Sequence, residues 1–185
     1  MRAALLLLLP AAVLCVDDGQ ARTPPMGWNS WMAIGWSITD AFTRETALFM
    51  NTSGLQAAGY TYINSDDGWS SHRINGTIIP DPKRWPNGLN AVTSYVHSLG
   101  LKFGLYSSAS SVVCSGRPGS LFYERVDAAS LAAWEVDFLK LDNCGSFFSF
   151  LLLLGLCSPS LLSLATFVRR CRSVRLRQLP LPGLW

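Results

Sequence analysis

Lys140 and Asp142 are two residues apart in the segment Asp137-Phe138-Leu139-Lys140-Leu141-Asp142. In a β-strand, residues two apart share a face, so this spacing places an ammonium and a carboxylate side by side. Both groups are costly to bury unless they are paired or functional. A neighbouring ammonium favours the ionised carboxylate, which is the form a carboxylate nucleophile requires. A second acidic cluster, Asn64-Ser65-Asp66-Asp67-Gly68-Trp69, follows another apolar run. On its own the Asp66-Asp67-Gly68 step also reads as a simple turn, because Asp and Gly are frequent turn residues. Trp28 and Trp31 with Asn29 form a third group, and Tyr106-Ser107-Ser108 a fourth. The two tryptophans read equally as core. Taken together, carboxylates beside indoles suit a sugar, whose hydroxyls donate to carboxylates while its C–H face lies on an aromatic ring.

These clusters must be held by elements that end at a common surface. Between Arg22 and Gly145, short strand-like runs alternate with longer helix-like ones, the pattern of parallel βα units. The periodicity predicts strands at residues 26 to 31, 60 to 66, 102 to 107 and 137 to 142, and helices at 39 to 57, 88 to 99 and 121 to 134. In such proteins ligands bind at the carboxyl ends of the strands, and all four clusters fall there. Gly54-Leu55-Gln56-Ala57-Ala58-Gly59-Tyr60 and Leu99-Gly100-Leu101-Lys102-Phe103-Gly104 each read as helix end, glycine stop, strand, a weak internal repeat. An eight-fold barrel of such units needs about 250 residues. Four units are present, so spacing alone leaves an open parallel sheet and part of a barrel as equal readings. Cys114 and Cys144 follow the third and fourth strands. Their sulfurs could meet at the rim of a sequentially wound sheet, the alternative being two free thiols.

The ends of the chain differ from this body. Met1-Arg2, the apolar run Ala3 to Val16 and a small-residue stretch at Gly19-Gln20-Ala21 have the layout of a secretory signal peptide over residues 1–21. A buried N-terminal helix is the competing reading, disfavoured because five consecutive leucines lack a polar face. The leader would remove Cys15 and put Cys114, Cys144, Cys157 and Cys171 in an oxidising compartment. Two sequons, Asn51-Thr52-Ser53 and Asn75-Gly76-Thr77, agree with that route. Residues 146–185 carry five arginines and no acid, so the net charge of +3 comes from this tail, while the first 145 residues hold 10 bases against 12 acids. The charge of the body gives no reason to expect nucleic-acid binding. Residues 147–168 are uncharged and long enough to cross a bilayer, with arginines following as a stop-transfer cluster would. The competing expectation, favoured by Pro159 and the Pro180-Leu181-Pro182-Gly183 end, is read-through of non-coding or out-of-frame sequence.

Several long motifs carry a resemblance. Thr23-Pro24-Pro25-Met26-Gly27-Trp28-Asn29-Ser30-Trp31, Asp66-Asp67-x-Trp69, Gly104-Leu105-Tyr106-Ser107, Cys114-x-Gly116-x-Pro118-Gly119-Ser120 and Asp137-Phe138-Leu139-Lys140-Leu141-Asp142-Asn143-Cys144 stand in the order and spacing of glycoside hydrolase family 27. Residues 22 to 145 thus resemble the α-galactosidases and α-N-acetylgalactosaminidases. The resemblance implies the N-terminal half of a (β/α)8 barrel over 22–145, whose full form carries retaining hydrolysis of terminal α-galactosides without a cofactor or metal. It also implies secretory, extracellular or lysosomal/vacuolar residence, and homodimers in many members. By position, Asp142 resembles the nucleophile and Lys140 a sugar-binding lysine. Asp66 and Asp67 resemble the pair that grips galactose hydroxyls, Trp31 and Tyr106 walls of the pocket, and Cys114 and Cys144 a family disulfide.

The departures carry expectations too. Trp36 and Gly68 stand where the family often has cysteines, which reads as the coherent loss of one bridge. Ser108 replaces an Asp that usually follows Tyr-Ser. Retaining glycosidases use two carboxyl groups about 5 to 5.5 Å apart, and residues 143 to 185 contain neither Asp nor Glu. The acid/base partner is therefore expected to be absent from this chain, leaving it inactive. The other expectations are a membrane-tethered galactose-binding protein without hydrolysis, or an α-N-acetylgalactosaminidase.

Overall fold

A computed structural model describes residues 23–144. The expected leader at 1–21 and the apolar and arginine-rich segment 146–185, with the candidate span at 147–168, lie outside the described residues. Among the described residues no helix is long and apolar enough to cross a membrane.

Four parallel strands form the main sheet: β1 (Gly27–Asn29), β2 (Tyr62–Ser65), β5 (Lys102–Ser108) and β6 (Phe138–Asp142), in the order β1-β2-β5-β6. Each predicted strand is present; β1, β2 and β6 are shorter than predicted by one to three residues, and β5 runs one residue further, to Ser108. All neighbours pair in parallel and in sequence order. A doubly wound sheet reverses its strand order at a switch point, where it binds its ligand. This sheet has no reversal, and its winding is that of a barrel wall.

Helices α2 (Asp40–Thr52), α3 (Gly88–Ser98) and α4 (Glu124–Ala133) provide the crossovers. Thr39 caps α2, its hydroxyl accepting the Phe42 amide at 3.2 Å, and Asp40 in the first turn suits the helix dipole. Alternation along the strands gives the sheet two different faces. Ile63, Phe103, Leu105 and Leu139 pack with Ala47 and Met50 of α2, Leu89, Val92 and Val96 of α3, and Ala128 and Leu131 of α4. The intervening positions Asn29, Asn64, Gly104 and Phe138 align across the sheet by register, followed by Tyr106 beside Lys140 and Ser108 beside Asp142. Gly104 is required in this row, because a Cβ there would collide with Asn64 Oδ1 and lie 2.8 Å from the Phe138 ring.

Each unit returns to the sheet through the same backbone device. Tyr60 N–H donates to Leu55 O while Gly59 N–H donates to Gln56 O; Leu101 pairs with Val96 and Gly100 with His97; Val136 pairs with Leu131 and Glu135 with Ala132. These are Schellman closures, which place the residue after the cap in the left-handed region. Gly59, Gly100 and Glu135 have φ of 98°, 73° and 56°. The glycine-marked repeat seen in the sequence is this motif, and its third copy was hidden because Glu135 takes the glycine's place.

Helix α2 ends at Thr52 rather than at residue 57, because Gly54 adopts φ 85° and a separate turn leads to Gly59. Helix α4 begins at Glu124 rather than 121, with Phe122 left-handed just before it. Four further elements were not anticipated. A short helix α1 (Trp31–Ile34) runs into a 3-10 turn at Gly35–Ser37. Strands β3 (Ser70–Ile74) and β4 (Thr77–Pro80) form an antiparallel hairpin beyond β2.

Candidate active site

The strand ends bring the sequence-selected residues to one side of the sheet. Asp66, two residues beyond Asn64, is 2% exposed. Its Oδ2 accepts from Lys140 Nζ at 2.8 Å and from Asn29 Nδ2 at 2.8 Å. Its Oδ1 accepts the Asp67 amide at 2.9 Å, and its own amide donates to Ser30 Oγ. One buried carboxylate thus ties together β1, β2 and β6. The lysine ammonium lies against Asp66 rather than beside Asp142, so the ion pair joins two strands instead of two neighbours on one.

Asp142, half-buried at the end of β6, is oriented by other groups. Tyr106 OH donates to its Oδ2 at 3.2 Å, and the Asn143 amide donates to its Oδ1 at 2.7 Å. Burial pushes the Tyr106 phenol well above its ordinary pKa of 10.0; the carboxylates of Asp142, Asp67 and Asp66 push further, opposed by a backbone hydrogen bond at Cys114. Tyr106 therefore stays a neutral donor at physiological pH. The Lys140 ammonium stands 5.1 Å from the centre of its ring. Asp67 accepts from the Ser115 amide at 2.8 Å and the Ser115 hydroxyl at 2.7 Å.

Cys114 and Cys144 are joined as a disulfide with Cα atoms 5.0 Å apart. Tyr106 OH is 3.1 Å from Cys144 Sγ, so bridge, phenol and Asp142 are in mutual contact. Ser108 receives the Cys144 amide at 3.1 Å and bonds the Asp142 carbonyl at 3.2 Å. Where the resembling family usually has an Asp after Tyr-Ser, this chain has the Ser108 hydroxyl, which secures the backbone on either side of Asn143.

Trp31 rises from β1 through Asn29, whose Oδ1 accepts the Trp31 amide at 2.9 Å. Trp31 is 38% exposed, and its ring meets Trp36 edge-on at 5.8 Å. The Trp36 backbone lies against Gly68, where a Cβ would be 2.6 Å from the Trp36 carbonyl. The two positions read as a lost bridge are thus spatial neighbours, and Gly68 at φ 112° is suited to the close approach.

Sequence reasoning placed Trp31, Asp66, Asp67, Tyr106, Lys140 and Asp142 at the strand ends, and the structure brings them to that surface. It missed Ser115, which holds Asp67; its position directly after Cys114, within a motif read for its cysteine and glycines, was the available signal. Ser30 was also missed as a partner of Asp66, although it lies in the entry motif.

A parallel βα wall with acidic side chains, an ammonium and an indole at its carboxyl edge is the architecture of a barrel glycoside hydrolase. Comparison with known proteins makes the class specific. Residues 23–155 match the family described as alpha galactosidase A, Melibiase_2. The chain is 48% identical over 131 residues to an alpha-galactosidase of Cyamopsis tetragonoloba, covering 69% of this chain and 32% of that protein. It is 46% identical over 132 residues to the alpha-galactosidase of Coffea arabica, covering 70% and 35%. Among solved structures, alpha-galactosidase I from Mortierella vinacea superposes with a TM-score of 0.73 at 31% identity, covering 87% of this chain and 41% of that one. The Saccharomyces cerevisiae alpha-galactosidase with raffinose gives a TM-score of 0.65 at 40% identity, covering 66% and 27%. The chain belongs to the alpha-galactosidase family of glycosidases, glycoside hydrolase family 27, and its described residues are the N-terminal part of that (β/α)8 fold. It spans about a third of the length of the curated relatives it matches.

Proposed function

We propose that this chain contributes the nucleophile and half of the sugar pocket of a retaining α-galactosidase acting on terminal α-D-galactosyl residues of oligosaccharides, glycolipids or glycoproteins. Asp142 is the nucleophile, with Tyr106 and the Asn143 amide fixing its two oxygens. Asp66 and Asp67 accept from sugar hydroxyls, Lys140 donates to a hydroxyl oxygen, and Trp31 presents its ring to the apolar face of the galactose. The observation that carries this reading is the contiguous set of contacts that joins four strand ends: hydrogen bonds link Asn29 and Lys140 to Asp66 and Tyr106 to Asp142, and the Lys140 ammonium over the Tyr106 ring connects the two groups. No carboxylate follows Asp142 in the 185 residues, so the second group of a retaining pair is missing on that side. The reading accordingly expects no turnover from these 185 residues alone. Secretory residence and homodimer formation, common in the resembling family, belong to the same proposal.

The test is hydrolysis of an activated α-galactoside, whose leaving group needs little protonation. The 185-residue chain should release product no faster than its Asp142→Asn variant. Release that depends on Asp142 would show that these four units suffice for glycosyl transfer to the carboxylate, and the chain would have to be counted as active.

A further inference from the structure

We infer that Asn75, in preference to Asn51, is the N-glycan acceptor of this chain. Both asparagines head an acceptor triplet, and both are exposed; what separates them is the use each side chain already has. Asn51 Nδ2 donates to Gln56 Oε1 at 2.7 Å and to Leu99 O at 3.3 Å. Glycosylation leaves one N–H on that nitrogen, so one of the two bonds must be given up. They lie at the end of α2, where Gln56 also bonds Leu99 O at 2.8 Å and holds the closing turn against the end of α3.

Asn75 is placed very differently. With Gly76 it forms the two-residue turn between β3 and β4, with φ of 49° and 86°. Positive φ at both central residues is the type I′ geometry that matches the twist of a hairpin, and Asn-Gly is its preferred pair. The turn is anchored from behind: Arg73 Nη1 donates to Gly76 O at 2.6 Å and to Asp127 Oδ1 at 2.6 Å, and its guanidinium lies 4.1 Å from the Tyr123 ring centre. The side-chain amide of Asn75 has no hydrogen-bond partner among the described residues. A glycan here costs no native bond, and its first sugar stands beside exposed apolar surface on Ile74 and Tyr123.

The chemistry is redox-neutral. Asn75 Nδ2 attacks C1 of an oligosaccharide carried on a lipid diphosphate, the N–C1 bond forms as the C1–O bond breaks, the diphosphate lipid leaves, and one amide proton passes to a base of the transferring enzyme. The inference goes beyond the hydrolase reading and rests on the secretory leader expected at residues 1–21, so the experiment separates the two. The whole chain is expressed in a secretory eukaryotic cell and released from glycan by an amidase in heavy-oxygen water; a modified Asn is one marked as Asp beyond the level of a sample incubated without the amidase, which reads the spontaneous deamidation of Asn75-Gly76. Trypsin then places Asn51 in the peptide 45–73 and Asn75 in 74–83. The expected result is a marked 74–83 peptide, an unmarked or minor 45–73 peptide, and loss of the glycan in Asn75→Gln and Thr77→Ala but not in Thr77→Ser. Mapping of the unsubstituted chain decides the matter even if a variant folds poorly. Marking of Asn51 at equal or higher occupancy overturns the inference. If neither site is marked, the chain is expressed behind a proven signal sequence. Marking of Asn75 then supports the site and refutes the leader, whereas an unmarked Asn75 refutes the site.

Discussion

Removing the Lys140 ammonium should expose how far the candidate site is held by one buried charge. Asp66 is 2% exposed, the Lys140 side chain is 18% exposed, and their atoms are 2.8 Å apart. At an effective dielectric constant of about 20, a pair at that distance attracts by about 6 kcal/mol before desolvation is counted. Desolvation offsets a large part of this, and Asn29 and the Asp67 amide continue to serve the carboxylate when the lysine is gone. We expect Lys140→Met to destabilise the chain by about 3 kcal/mol, since it leaves a buried carboxylate without its cation. Asp66→Asn should cost about 1 to 2 kcal/mol, because the freed ammonium can turn to water. The double variant should cost about 2 kcal/mol less than the sum of the two. Urea unfolding followed by tryptophan fluorescence gives each value; with a slope of roughly 1 to 3 kcal/mol per molar, the lysine variant should move the midpoint by about 1 to 3 M. Costs that add to within about 0.5 kcal/mol would mean that the two groups act independently, and Asp66 would then not be what ties β6 to β1 and β2.

The Tyr106 phenol, raised by burial and the three carboxylates, binds its proton more tightly folded than unfolded. Its contribution is therefore complete below about pH 10 and is lost as pH rises beyond it, by about 1.4 kcal/mol per pH unit; urea unfolding between about pH 9 and 11 should show a shallower alkaline decline in Tyr106→Phe than in the unsubstituted chain. The Cys114–Cys144 bridge closes a span of 30 residues and should be worth about 3.5 kcal/mol in the chain-entropy model. Cys114→Ser/Cys144→Ser should lose roughly that amount in the same assay, and non-reducing peptide mapping should recover the linked pair from secreted protein. Glu135 occupies the left-handed position that Gly59 and Gly100 occupy in the other two closures. Glu135→Gly should therefore stabilise the chain by about 1 kcal/mol, seen as a higher urea midpoint; a lower midpoint would point to a side-chain role that outweighs the backbone strain.

Much of this was legible from residue order because the relevant signals are local. Lys140 and Asp142 were placed on one face by strand periodicity, and Gly59 and Gly100 announced two of the turns that return the chain to the sheet. The partner of Lys140 was not legible: its contact with Asp66 spans 74 residues, and strand adjacency alone allows the ammonium to serve either carboxylate. The hairpin at 70–80 escaped because Ser70-Ser71-His72-Arg73-Ile74 lacks a clean apolar alternation, although Asn75-Gly76 is a strong turn signal. The early end of α2 escaped for a related reason. Helix-forming residues continue past Thr52, and a single left-handed Gly54 outweighs them.

Catalysis by a completed barrel tests the role of Asp142 most directly. Residues 1–145 should be joined to the matching continuation of a curated relative such as the Cyamopsis tetragonoloba alpha-galactosidase, and kcat/KM measured for a terminal α-galactoside with and without Asp142→Asn. The expected product is a folded α-galactosidase whose turnover falls by at least about 10³-fold on that substitution, more than about 4 kcal/mol of lost transition-state stabilisation. A folded chimera that hydrolyses the substrate equally well with Asn at position 142 would contradict the assignment of Asp142 as the nucleophile.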